Sequence, residues 1–149
     1  MAKKAKVCSV RKNDSKIKIE ENGRKAIFLN ESRDEYTVTE VDGCLINDGM
    51  RADYLITKED SCSVFVELKG KNVDHAVEQL FASVERLEVK NICHKNLGFL
   101  VICKRFPRFD TFVAKAKQKA AARYKAGFHV VCDRGEFDIH QIAAINGRK

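Results

Sequence analysis

The run Leu97-Gly98-Phe99-Leu100-Val101-Ile102-Cys103 carries no charged or amide side chain. It falls far short of the roughly 18 to 20 apolar residues that a membrane span needs. It is also too uniformly apolar for a strand with one wet face, which would alternate. It therefore reads as a strand buried on both faces, and such strands belong to parallel sheets covered on each side, their neighbours reached through a helical crossover. Both parts lie upstream. Cys62 to Lys69 reads as a strand, and Val73, Ala76, Val77, Leu80, Phe81, Val84 and Leu87 then recur at helical spacing, with Asn72 as the N-cap.

Before the crossover, turn dipeptides dictate antiparallel pairing. Tyr36 to Val41, Asp42-Gly43, a short Cys44 to Asn47 segment, Asp48-Gly49 and Arg51 to Thr57 suggest consecutive strands. The polar turn Lys58-Glu59-Asp60-Ser61 leads into Cys62 to Lys69. A hairpin centred on Asp60 sets Ala52, Tyr54 and Ile56 against Cys62, Val64, Val66 and Leu68 on one face. On the other face the same register sets Asp53 across from Glu67 and Arg51 across from Lys69. An earlier hairpin, Lys16 to Glu20 and Ala26 to Leu29, turns at Asn22-Gly23. After the buried strand come a helix at about 110–125 that buries Phe112, Val113, Ala116, Ala120 and Tyr124, late strands at Phe128 to Cys132 and Phe137 to Ile139, and a short helical or loose tail.

With 149 residues, 44% of them hydrophobic, and one proline, the chain fits a single α/β domain over residues 15–149, preceded by a basic flexible arm at 1–14. The N-terminus, Met1-Ala-Lys-Lys-Ala-Lys, lacks the apolar segment of a secretion signal, so a cytoplasmic protein with no membrane contact is expected. The six cysteines form no C-x-x-C pair, which argues against structural zinc. Cys44, Cys62, Cys103 and Cys132 fall in expected strands and read as free, buried hydrophobes.

Chemistry gathers at Asp53, Glu67 and Lys69. Two carboxylates across a hairpin, with the backbone carbonyl of Leu68 as a third ligand, suit a hard cation such as Mg²⁺, with Mn²⁺ as a substitute. A lysine beside them stays protonated, orients water and stabilises charge on a phosphate. Asp42 is a further candidate near the metal, with turn formation before Gly43 as the simpler reading. His75 and Gln79, four apart on the helix, are support candidates on a face that reads equally well as exposed. Lys71 and Asn72 at the helix start, and Lys115, Lys119 and Arg123 on the second helix, offer phosphate contacts. The net charge of +7 suits a nucleic-acid partner, DNA first.

In this arrangement the chain resembles the PD-(D/E)XK nuclease superfamily over about residues 40–104. Arg51-Ala52-Asp53 and Val66-Glu67-Leu68-Lys69 match its motif, with Ala52 in place of the nominal proline, and the order hairpin, E-x-K strand, helix, buried strand matches its core. The resemblance implies a restriction-endonuclease-like fold with a central mixed β-sheet, an antiparallel hairpin, a crossover helix and a flanking second helix. It implies Asp53 and Glu67 as metal ligands, Lys69 as the catalytic lysine, and Gln79 as a polar residue near the metal. Glu40 is the nearest candidate for the family's upstream glutamate. The implied activity is Mg²⁺-dependent hydrolysis of phosphodiester bonds by a DNA endonuclease. The alternatives are a junction or repair endonuclease of the same fold, or an inactive nucleic-acid-binding subunit of a larger complex. By analogy the chain forms a homodimer or joins such a complex.

Overall fold

A computed structural model describes residues 8–21, 23–47, 52–68, 73–90, 92–104 and 111–145. Its elements are β1 (Ser9–Lys12), β2 (Lys16–Glu21), β3 (Arg24–Leu29), β4 (Tyr36–Glu40), β5 (Tyr54–Lys58), β6 (Cys62–Leu68), α1 (Val73–Val84), α2 (Leu87–Lys90), β7 (Leu97–Cys103), α3 (Thr111–Lys119), β8 (Gly127–Cys132), β9 (Arg134–Phe137) and α4 (Ile139–Ala143). A π-helical turn, Ala120–Tyr124, extends α3 and ends at Lys125 in the left-handed conformation. The fold is mixed α/β around a six-stranded mixed sheet of order β1-β4-β5-β6-β7-β8, beside a three-stranded sheet of order β2-β3-β9.

The six-stranded sheet changes character at β6. From β1 to β6 neighbours run antiparallel, whereas β6, β7 and β8 run parallel. Every residue of β6 and β7 is buried, because both faces of the sheet are covered. On one face Leu55, Phe65, Phe99 and Val101 pack with Leu80 and Phe81 of α1 and Val113 and Ala116 of α3. On the other, Ile56, Val64, Val66, Leu100 and Ile102 pack with Ile17, Ile19 and Phe28 of the small sheet and Ile139 and Ile142 of α4. The unbroken apolar run thus has a physical cause on each side.

The first hairpin forms as its sequence predicts: Glu21 pairs with Arg24 and Gly23 has φ 82°, a conformation glycine adopts without a Cβ penalty. Several expectations are corrected. Ser9–Lys12 is not part of a loose arm but the edge strand β1, paired with β4 and held by a 2.8 Å hydrogen bond between the Ser9 and Thr39 hydroxyls. Cys44 is not a free strand cysteine; it lies in a turn region and forms a disulfide with Cys8 that ties β1 to the segment after β4. The pairing Glu40↔Tyr54 leaves a long connection between β4 and β5, and the turn expected at Asp48-Gly49 lies outside the described residues. Ala52 packs with Leu55 and Phe65 rather than with Ile56, since the chain bends at Asp53 before the ladder begins. Ile139 opens α4 instead of closing a strand, because Asp138 caps the helix by accepting from the His140 amide at 2.9 Å.

Candidate active site

The β5–β6 hairpin turns through Asp60, whose φ is 60°, and the amide of Ser61 donates to the carbonyl of Lys58 at 3.0 Å. The register runs from Lys58↔Cys62 to Tyr54↔Val66, where the ladder ends; Asp53 and Glu67 are the residues that flank this last pair. The carboxylate of Asp53 is anchored there: Oδ2 accepts the amide N–H of Leu68 at 2.8 Å. Its main-chain carbonyl accepts from Val41 at 2.9 Å. The residue is thus gripped by the end of β4 on one side and the end of β6 on the other.

Both carboxylates are enclosed, Asp53 being 8% and Glu67 0% exposed. Glu67 pairs with Val101 of β7 and alternates with Val66 and Leu68, which face the small sheet, so it shares the α1 side with Phe65. The pair sits near the carboxyl ends of the parallel strands β6, β7 and β8, the edge where open α/β sheets place ligands. Among the described residues no group of three or more His, Cys, Asp or Glu could hold a metal. The candidate donors are the carboxylates of Asp53 and Glu67. That set fits Mg²⁺, which commonly binds through one or two carboxylates and keeps several waters.

Helix α1 meets this edge with polar side chains. Ser83 is wholly buried; its hydroxyl donates to the carbonyl of Gln79 at 2.8 Å and accepts the N–H of Ala52 at 2.6 Å. Gln79 is half-buried with its amide oxygen enclosed. Through Ser83, the helix that carries Gln79 meets the segment that leads into Asp53. The readings on Lys69, Lys71 and Asn72 lie outside the described residues, as does that on the side chain of His75.

The two other acidic candidates are both exposed. Glu40 pairs with Tyr54, which puts it on the Val38 and Val66 side of the sheet, opposite to Glu67, and it is exposed. There it flanks Tyr54, whose hydroxyl is pushed above the usual tyrosine range by burial and then by the charges of Glu21, Glu40 and Asp53. Asp42 is exposed, at a turn where Gly43 has φ 77°, and its amide lies 3.4 Å from the Asp53 carbonyl.

The basic residues of the second helix line a groove of about 450 Å³ between α1 and α3, floored by Val77, Phe81 and Tyr124. Lys119 places its ammonium 4.8 Å from the centroid of the Phe81 ring, and Lys115 and Lys119 are exposed. Arg123 is already engaged, 3.1 Å from Glu85, which also accepts the Tyr124 hydroxyl at 2.8 Å. That hydrogen bond, with the charge of Arg123, keeps the Glu85 carboxyl below its ordinary range, while burial and the same bond push Tyr124 up to about 12. Arg123 thus contributes less free positive charge than its place on the helix suggests.

Ser83 and the Cys8–Cys44 disulfide were not foreseen. A serine four residues after Gln79, on the same helix face, is the signal that marks the first; nothing in the cysteine spacing marks the second. No family model, curated protein or solved structure matches the chain.

Proposed function

We propose that the chain is a Mg²⁺-dependent nuclease of restriction-endonuclease-like fold, hydrolysing phosphodiester bonds and acting first on DNA. The observation that carries this reading is the hydrogen bond from the Leu68 amide to Asp53 Oδ2, which ties the Asp53 carboxylate to the residue that follows the buried Glu67 near the carboxyl end of β6.

Asp53, Glu67 and the Leu68 carbonyl would hold the cation. When bound, Mg²⁺ supplies Lewis-acid charge to the phosphate and makes a nearby water more acidic. Asp53 keeps one oxygen fixed on β6, so its carboxylate is oriented before substrate arrives and needs no reorganisation during the reaction. Lys69, assigned from its sequence position one residue beyond Leu68, orients the attacking water and places positive charge beside the phosphate. Water oxygen bonds to phosphorus, the ester P–O bond breaks, and the leaving oxygen takes a proton. Gln79 lends polar support from α1. Lys115 and Lys119 attract the phosphate backbone, a contribution that falls with salt.

The test is a panel of linear, circular, branched and single-stranded substrates, each with Mg²⁺ and with chelator, using the purified chain and its Asp53→Asn and Glu67→Gln variants. Cleavage that needs Mg²⁺ and both carboxylates supports the reading. Preference for branched DNA assigns a structure-selective endonuclease. Salt-sensitive binding without cleavage of any substrate refutes nuclease activity and leaves a nucleic-acid-binding subunit.

A further inference from the structure

We propose that Ser83 is a positioning residue for the candidate site, its hydroxyl latching α1 to the residue that precedes Asp53; the functional consequence rests on the nuclease reading above, whereas the positioning itself does not.

A serine is a poor choice for the buried side of a helix. Its hydroxyl must be satisfied there, and its intrinsic helix preference is below that of alanine. Ser83 is nevertheless 0% exposed, within a helix whose neighbouring buried residues Leu80 and Phe81 are apolar. Both of its bonds explain the choice. Donation to the Gln79 carbonyl one turn back fixes the hydroxyl hydrogen along the helix, and this directs the oxygen lone pairs outward. One of them receives the N–H of Ala52 at 2.6 Å, a contact across 31 positions of sequence.

Ala52 lies outside the β4–β5 and β5–β6 ladders, both of which reach only to Tyr54, and it is fully buried. Its N–H therefore finds in Ser83 what a strand neighbour supplies elsewhere. The next residue is Asp53, with its carbonyl on Val41 and its carboxylate on Leu68. Residues 52 and 53 are thus pinned at three points by α1, by the end of β4 and by β6. Removing the hydroxyl takes away the α1 point and leaves a buried donor seeking a partner, so the segment shifts and the Asp53 carboxylate loosens from the Leu68 amide. Loss of a group that orients a metal ligand typically lowers metal affinity by about 10 to 100-fold.

Ser83→Ala tests this in the metal-free protein and then with Mn²⁺. Amide hydrogen exchange should speed up at Leu68 by 10-fold or more, while the Ile17 and Phe28 amides of the small sheet stay within twofold of wild type. Those distant amides separate local loosening from general destabilisation. Calorimetry should show Mn²⁺ binding weakened about 10-fold, and turnover should fall in kcat with little change in KM for nucleic acid. Unchanged exchange at Leu68 overturns the proposal, as does equal acceleration at Leu68, Ile17 and Phe28. If wild type neither binds Mn²⁺ nor cleaves yet Leu68 responds as expected, the nuclease reading fails and the positioning of Asp53 by Ser83 stands.

Discussion

Gly98 interrupts the buried strand β7, and replacing it with alanine should displace α4. A Cβ built there meets the Ile142 carbonyl oxygen at 2.6 Å and the Ala143 Cα at 2.8 Å, whereas ordinary van der Waals contact begins at 3.4 Å. Both obstacles are backbone, so no side-chain rotation relieves them and α4 must retreat by several tenths of an ångström. A gap of about 0.5–1 Å forfeits a quarter to a half of a contact's attraction. The helix buries Ile139 and Ile142 at 1% and 5% exposure. Two such side chains are worth about 3–6 kcal/mol together, so the loss is about 1–3 kcal/mol. Taking about 2 kcal/mol, the melting temperature of a domain this size should fall by about 4–8 °C. Urea and thermal unfolding followed by circular dichroism would measure it, with an unchanged m-value. Gly23→Ala is the control: its φ of 82° is strained for alanine but nothing lies within 4 Å, so only about 1 kcal/mol of backbone cost applies. A Gly98→Ala protein within about 0.5 kcal/mol of wild type would refute the account of how α4 rests on the sheet.

Asp53→Asn and Glu67→Gln should each abolish Mg²⁺-dependent cleavage and weaken Mn²⁺ binding in calorimetry, since each removes a full ligand charge; unchanged affinity in both would remove the pair from the site. Burial, with the charge of Lys117, holds the His129 imidazole below its usual pKa. The unfolded chain therefore binds more protons just below about pH 6.5, so this contribution is present above that pH and is lost as pH falls through it. Urea midpoints measured on either side should differ less in His129→Gln than in wild type. Cys44→Ser, which opens a cross-link of 36 residues, should cost about 2–4 kcal/mol in non-reducing urea unfolding. Addition of reductant should then lower the midpoint of wild type alone.

Periodicity by itself determined the hairpins at Gly23 and Asp60, the amphipathic helix α1 and the doubly buried β7. Each follows from neighbours a few residues apart, where alternation or helical spacing says which side is dry and a turn residue sets the register. Tertiary structure decided what covers each dry face: β9 parallel to β3, α4 laid over Gly98, and Cys8 joined to Cys44. It also placed Glu40 on the wrong side of the sheet for the site and gave Ser83 its partner in Ala52. Such contacts join residues far apart in the chain, and no local period encodes them. They depend on which surfaces are complementary once the sheet exists, so Asp53 and Glu67 stood out from the residues as candidates, while the groups that hold Asp53 in place emerged only from the packed fold.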